Sequence, residues 1–350
     1  MKILILGVNG FIGNSLVQRI LSTTDWEIYG MDLSDSKLSH SINESRFHFI
    51  EGDISIQKEW VEYHIKKCDT VLPLVAIATP MSYVKQPLAV FELDFEENLR
   101  IVRLCVKYGK RVIFPSTSEV YGMSRDRDFS EDSTMMVLGP TCKQRWIYAC
   151  SKQLLDRVIW AYGMAGDLDF TLIRPFNWIG PRLDGLYSAK EGSSRVVTQF
   201  IINLTRNEPI KLVDGGHQTR CFTYIEDGID CLMKIIEDRE GVCRKEIFNI
   251  GNPQNECSVR ELAVKLQTLY KEHPEGALHG LSKIVEIPSL TYYGEGYQDI
   301  FSRKPNIEKA QRLLGWEPKT DLDEALKHTL DFFIQESRSN GLTSPSHQSD

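Results

Sequence analysis

Ile3-Leu4-Ile5-Leu6-Gly7-Val8-Asn9-Gly10-Phe11-Ile12-Gly13 carries a short apolar run straight into three glycines spaced three apart, and helical periodicity follows from Phe11 to Leu21. Glycine permits a tight turn and lets backbone N–H groups approach a pyrophosphate, while the helix N-terminus adds about half a positive charge. The stretch therefore reads as a strand, a phosphate-cradling turn and a helix. A second apolar run ends at Asp32, 19 residues past Gly13. A carboxylate there binds a ribose 2′-hydroxyl and repels a 2′-phosphate, so NAD is expected rather than NADP. Gly52-Asp53-Ile54, after a third run, places Asp53 near the adenine amino group, although Asp after Gly is also common in turns.

Outward from this segment, short apolar runs alternate with longer amphipathic ones through the first 180 residues. Strands are expected at Lys2 to Leu6, Trp26 to Met31, Arg46 to Phe49, Thr70 to Val75, Arg111 to Pro115 and Phe170 to Ile173. Helices are expected at Phe11 to Leu21, Gln57 to Lys67, Val90 to Tyr108 and Trp146 to Tyr162. Such alternation marks an α/β fold, a doubly wound parallel sheet of the Rossmann type. After Pro175 the rhythm shortens. Helices at Arg195 to Thr205, Ser258 to Tyr270 and Leu322 to Ile334, with small strands near Ile210 to Val213 and Ile247 to Ile250, suggest a smaller C-terminal α/β lobe. The expected division is 1–175 for the dinucleotide and 176–336 mainly for the substrate, with chain exchange between the lobes allowed. A disordered tail is expected over 337–350, where Ser, Asn, Gly and Pro dominate. Ligands of such sheets lie beyond the carboxyl ends of the strands, facing the second lobe.

Of the 350 residues, 41 are Lys or Arg and 48 Asp or Glu, giving net charge −7, so no general field draws nucleic acid or anionic lipid. An anionic ligand must meet locally placed cations. Eight cysteines without a CxxC pair, and histidines without an HxxxH pair, argue against a metal site and a disulfide framework. No apolar run reaches the roughly 18 residues of a membrane span. A cytoplasmic address and no membrane partner are expected.

Tyr148-Ala149-Cys150-Ser151-Lys152 sets a Tyr and a Lys four apart at the start of a helical pattern, so both face one way. A phenol titrates near pH ~10, and a nearby ammonium lowers that barrier to its use as a base. Pro115-Ser116-Thr117-Ser118-Glu119-Val120-Tyr121-Gly122 follows the fifth strand, where hydroxyls lie at the place a substrate alcohol must occupy. Thr117 is the expected third member of the Tyr148/Lys152 set.

These three motifs, in this order, resemble the extended short-chain dehydrogenase/reductase family of nucleotide-sugar enzymes. The resemblance continues through Arg174-Pro175-Phe176-Asn177, Gln218-Thr219-Arg220, Arg303-Lys304-Pro305-Asn306-Ile307 and Leu314-Gly315-Trp316-Glu317-Pro318. It implies a cofactor set of Gly7, Asn9, Gly10, Phe11, Ile12, Gly13, Asp32, Asp53, Ile54, Leu74 and Ala76 with Tyr148 and Lys152. Within the family, Thr-Ser-Glu-Val-Tyr-Gly is similar to the UDP-glucuronic acid decarboxylases, where hexose dehydratases usually show Thr-Asp-Glu. Other stretches, such as Phe91 to Arg100, are similar to the decarboxylase half of the bifunctional polymyxin-resistance enzymes of the ArnA type, without their formyltransferase half.

The implied reaction is NAD-dependent oxidative decarboxylation of UDP-glucuronic acid to a UDP-4-keto-pentose. Thr117, Ser118, Glu119, Tyr148, Lys152 and Arg303 are its implied catalytic residues, and Asn177, Arg195, Lys211, Gln218, Arg220 and Tyr297 its implied substrate contacts. Arg and Lys suit a diphosphate, Arg through its bidentate fork. Asn177 equally suits a loop-capping role, and Arg303 beside Lys304 equally reads as a solvated charge. The competing readings are a UDP-xylose synthase that returns the hydride, a dTDP-hexose 4,6-dehydratase, disfavoured by Ser118, and a non-catalytic NAD-sensing protein, disfavoured by intact Tyr148 and Lys152. A homodimer is expected through the helices at Val90 to Tyr108 and Trp146 to Tyr162.

Overall fold

The computed structural model of the chain describes residues 1–185, 194–278 and 280–339. Strands β1 (Lys2–Leu6), β2 (Glu27–Asp32), β3 (Phe47–Glu51), β4 (Thr70–Pro73), β5 (Arg111–Pro115), β6 (Phe170–Pro175) and β7 (Glu246–Ile250) form one sheet in the order β7-β6-β5-β4-β1-β2-β3. All six pairings are parallel. Both faces of a parallel sheet are covered, which is why β1 is apolar at Ile3, Leu4, Ile5 and Leu6, all fully buried. Ile3 and Ile5 pack with Leu16, Val17 and Ile20 of α1 (Phe11–Thr23) on one face. Leu4 and Leu6 pack on the other with α2 (Lys58–Lys67), α3 (Asn98–Tyr108) and α4 (Trp146–Ala165). The strand order reverses between β1 and β4, so the loops leaving these two strands flank a crevice at their carboxyl ends.

The C-terminal part adds α5 (Val196–Thr205), α6 (Ile225–Glu237), α7 (Val259–Glu272) and α8 (Leu322–Ser339) with three small sheets. In one of these, Thr219–Cys221 pairs with Glu256–Ser258 and with Ser302–Arg303, and the register sets Arg303 opposite Arg220. Two guanidiniums, far apart in sequence, thereby become neighbours.

Four expectations change. The strand at Ile247 to Ile250 does not belong to the second lobe: as β7 it continues the large sheet beside β6. The segment Val90 to Tyr108 is not one α-helix, because a π-helical turn, Glu92–Glu97, separates a short helix at Pro87–Phe91 from α3. Helix α6 and a short helix at Pro80–Lys85 were not anticipated. At the tail, α8 runs through 337–339, where Ser337 is buried and its hydroxyl donates to the Phe333 carbonyl; residues 340–350 lie outside the described residues. Among the described residues, no helix is long and apolar enough to cross a membrane.

Buried polar links brace the carboxyl ends of the strands. Asn249 of β7 accepts from the Tyr121 hydroxyl (2.7 Å) and donates to the carbonyls of Phe129 (2.7 Å) and Asn306 (3.2 Å), tying down the segment that bears Arg303. Arg174 of β6 donates to Tyr121 (2.8 Å) and to Asp156 of α4 (3.0 Å), and Asp156 also accepts from Ser116 (2.8 Å). Each buried polar atom left without its partner costs about 1–3 kcal/mol. Asn249→Leu is therefore expected to lower the unfolding free energy measured in urea by several such losses, with a correspondingly lower midpoint; an unfolding free energy equal to wild type would show that this bracing contributes nothing.

Candidate active site

The glycine loop is shaped by steric necessity. Gly7 has φ 89°, and a Cβ there would lie 3.0 Å from the Leu74 backbone; a Cβ at Gly13 would lie 2.4 Å from the Gly7 carbonyl. Only glycine lets α1 start this close to the end of β1. Gly10 at the N-cap makes no side-chain cap, and the first turn of α1 holds no acid, so its amides are left to an anion. Asp32 accepts from the amides of Asn9 (2.8 Å) and Leu33 (2.7 Å), which knits the end of β2 to the loop. Burial raises its pKa above the ordinary carboxylate value, against the pull of those amides. Asn9 extends the rim, accepting from the Lys37 amide (2.8 Å) and donating to Ser34 (2.9 Å). A cradle that a Cβ would fill, uncapped amides and a carboxylate at the second strand's end fit a dinucleotide.

Four further cofactor positions lie along the strand ends. Leu74 donates to the Leu6 carbonyl (2.7 Å), and Ala76 follows on the same loop. Asp53 uses one oxygen to close its own turn, accepting from the amide and hydroxyl of Ser55, both at 2.7 Å. Ile54 buries its side chain in the core and gives its carbonyl to Arg100 (2.7 Å).

A single cleft is lined by Phe11, Ile12, Thr117, Ser118, Glu119, Tyr148, Asn177, Arg195, Lys211, Gln218, Arg220, Tyr297 and Arg303. It thus brings together all the expected substrate contacts and all the expected catalytic residues except Lys152, which lies buried beneath it. Tyr148 stacks on Tyr83, with ring centroids 4.6 Å apart and planes 5° from parallel. Burial raises its pKa, the charges of Asp94 and Glu119 add to this, and the Thr117 hydroxyl bonded to the phenol pulls the other way. Lys152 donates to the Pro115 carbonyl (3.1 Å) and lies 3.9 Å from Asp94. Burial lowers its pKa, and Asp94 and Asp156 oppose that.

Beside this set, Glu119 lies between two guanidiniums, 3.3 Å from Arg303 and 3.2 Å from Arg145. Arg303 also reaches Ser118 (3.4 Å) and Asn177 (3.1 Å), and burial pushes it down to about 10. It is not a solvated charge. Asn177 holds the turn: at φ 40° its amide donates to the Cys221 carbonyl (3.3 Å), and its oxygen accepts from Arg303 (3.1 Å). Arg220 pairs with Asp299 (2.8 Å). Arg195 is held by Asp184 (2.9 Å) and lies over the Phe11 ring, at the glycine-loop end of the cleft. Tyr297 stacks on Tyr293 at 4.0 Å.

Arg145 went unnoticed in the sequence, as did Tyr83 and Asp94. Arg145 is 2% exposed, and its Nε and Nη1 have no hydrogen-bond partner among the described residues. It precedes Tyr148 by three residues, about one turn at the start of α4. That spacing was the available signal.

Residues 3–251 match the NAD dependent epimerase/dehydratase family. Among solved structures, PbgP3 protein from Burkholderia pseudomallei is 56% identical, with TM-score 0.87 and 97% of each chain covered. UDP-glucuronic acid 4-epimerase from Bacillus cereus, in complex with UDP-glucuronic acid and NAD, is 23% identical with TM-score 0.81, over 96% of this chain and 100% of that one. dTDP-glucose 4,6-dehydratase from Bacillus anthracis, in complex with NAD, is 19% identical with TM-score 0.78, over 97% and 98%; these last two show a shared fold. The family match spans the glycine loop, the Tyr148/Lys152 pair and all seven strands of the large sheet, so the chain belongs to the NAD-dependent epimerase/dehydratase family and its cofactor is NAD.

Proposed function

We propose that the chain catalyses oxidative decarboxylation of UDP-glucuronic acid to a UDP-4-keto-pentose. The observation that carries this reading is the charge of the cluster beside Tyr148. Among the described residues, the guanidiniums of Arg145 and Arg303 share the single carboxylate of Glu119, while Arg220 is paired with Asp299, leaving one buried positive charge over. Buried ions are costly unless paired and hydrogen-bonded. Nε of Arg303, like Nε and Nη1 of Arg145, has no hydrogen-bond partner among the described residues. A sugar carboxylate supplies both the missing charge and charged acceptors; a neutral hexose offers hydroxyl acceptors but no charge. A protein of the same fold with UDP-glucuronic acid and NAD bound supports the substrate class.

In this reading Tyr148 takes the proton from O4, Thr117 orients that hydroxyl, and the Lys152 ammonium favours the phenolate. NAD, held at the glycine loop and Asp32, supplies a hydride acceptor for C4. A ketone at C4 makes the C5 carboxylate a β-keto acid, which loses CO2 through an enolate. Ser118 donates to the carboxylate, Arg303 and Arg145 hold it, and Glu119 relays the proton that C5 takes up. One proton leaves O4 and one arrives at C5, so the sum is balanced. Asn177, Arg195, Lys211 and Tyr297 hold the UDP, with Gln218 and Arg220 near its phosphates. The division of labour follows the chain, with the cofactor on 1–175 and the sugar nucleotide mainly on 176–336. A second copy fits against α4, which leaves Leu154, Trp160 and Met164 exposed.

The assay is direct: UDP-glucuronate and NAD with the purified protein, reading CO2, reduced cofactor and the product by NMR. CO2 with reduced cofactor and a 4-keto-pentose is expected. CO2 with no net cofactor reduction and UDP-xylose as the sole pentose would make this a UDP-xylose synthase, and no CO2 would end the decarboxylase reading. Tyr148→Phe should fold as wild type, bind both ligands and lose ~10²- to 10⁴-fold in kcat. Near-normal CO2 release by that variant would move the base elsewhere. Arg145→Gln should weaken UDP-glucuronate binding by about 2–5 kcal/mol, the usual cost of truncating one partner of a buried charge pair, and leave NAD binding unchanged. Titration calorimetry with each ligand separates these effects, and unchanged sugar-nucleotide affinity would remove Arg145 from the carboxylate site.

A further inference from the structure

We propose that Asp94 is a positioning residue: a buried counter-charge, set in place by the π-helical turn before α3, that holds Lys152 in its charged form beneath Tyr148. The inference rests on the Tyr148/Lys152 pair and not on the choice of sugar nucleotide.

The argument begins with Lys152. Its side chain is 1% exposed and, among the described residues, its ammonium has one hydrogen-bond acceptor, the Pro115 carbonyl. The Phe114 ring lies 4.8 Å away. An ammonium in such surroundings loses its proton unless an anion is near. Asp94 is that anion, itself fully buried, with Oδ1 3.9 Å from the Lys152 nitrogen and, among the described residues, no hydrogen-bond partner on that oxygen. Its other oxygen accepts from the Ile77 amide (3.2 Å), on the loop that follows β4.

The backbone explains how a carboxylate comes to lie there. A π turn adds a residue to the helical cycle, and such turns are rare and frequently lie at functional sites. Here the turn spans Glu92–Glu97 and leaves both Asp94 and Asn98 fully buried. Asn98 donates to the Leu93 carbonyl (2.9 Å) and to the Val75 carbonyl (3.3 Å), bracing the widened turn against the cofactor loop. The glutamates at 92, 96 and 97 are not fully buried, so Asp94 is the acid this turn sends inward.

The titratable groups facing the pair can be named. Lys152, Tyr148 and Tyr83 feel Asp94, and Asp156 faces Lys152 from within α4, where it is already paired with Arg174. Glu119 acts on the two tyrosines. Burial pushes the Asp94 carboxyl up to about 6, with Lys152 and the Ile77 amide opposing. Asp94 is therefore ionised at neutral pH, where Lys152 needs it.

Two experiments test the assignment. In the first, thermal stability of the protein without substrate is measured for Lys152→Met, Asp94→Asn and the double variant. Lys152→Met leaves a buried unpaired carboxylate whose pKa rises further above its unfolded value, so its deficit should be larger at about pH 8 than at about pH 5.5. Adding Asp94→Asn should restore part of the melting temperature and abolish that pH dependence. Losses that simply add, at both pH values, would overturn the pairing. In the second, the pH profile of kcat is compared for wild type and Asp94→Asn. Without its counter-charge Lys152 deprotonates earlier, so the alkaline limb should move down by about one pH unit or more. A lower rate with an unmoved profile would mean that Asp94 serves only the shape of the turn, and would overturn the proposal.

Discussion

Glu119 holds two guanidiniums out of water, and much of the cleft is arranged around that contact. The carboxylate comes from the turn after β5, Arg145 from the residue before α4, and Arg303 from a two-residue strand more than 180 positions away. Each arrives by a different route: β5 through the sheet, α4 through packing on the β5–β6 face, and Arg303 through its pairing with the Thr219–Cys221 strand. Asn249 then secures the Arg303 segment from β7. Losing any of these supports leaves a buried ion with fewer partners, which is more expensive than losing a surface contact.

This dependence explains what could be read from the amino-acid order and what could not. Gly7, Gly10 and Gly13 were legible because the turn they make is steric and local, and Asp32 because a strand of known length separates it from that turn. Tyr148 and Lys152 were legible because a helix fixes their spacing. The strand at Ile247 to Ile250 was correctly found and wrongly housed, since no local pattern expresses that β7 pairs with β6. The π turn was invisible because the apolar spacing of Val90, Ile101, Val102 and Cys105 suits one long helix as well as an interrupted one. Arg145 was missed because a single Arg before a helix reads as a solvated charge, and only the fold shows that Trp146, Tyr297 and Glu119 enclose it.

The tyrosine is held in tension by its surroundings. Burial and the Asp94 and Glu119 carboxylates favour the protonated phenol, whereas Thr117 and Arg303 favour the phenolate. Asp94 therefore acts in two opposed ways on the proposed base, repelling a phenolate directly and favouring it through Lys152. The lysine is within ion-pair range of Asp94, and the effect of that ammonium on the phenol acts from one helical turn away on the same face. A site built this way keeps Tyr148 protonated until a ligand changes the balance of charge around it.

On the proposed reading, the same balance decides the sugar. With Ser118, the cluster retains one positive charge more than its carboxylates can match, and Ser118 adds a hydroxyl without adding charge. An Asp at this position, as the resemblance assigns to hexose dehydratases, would stand within reach of Arg303 and bring the cations and anions to parity. The cluster would then have no charge left for a substrate carboxylate to satisfy, and that carboxylate would meet a like charge at close range. Discrimination between a hexose and a hexuronate is thus a matter of electrostatic parity more than of shape, because the two sugars differ little in size. An unpaired buried guanidinium penalises the neutral sugar, as sites built around polar groups penalise analogues that lack the partner. The identity of residue 118 sets which substrate completes the site, and Glu119 can serve either chemistry unchanged.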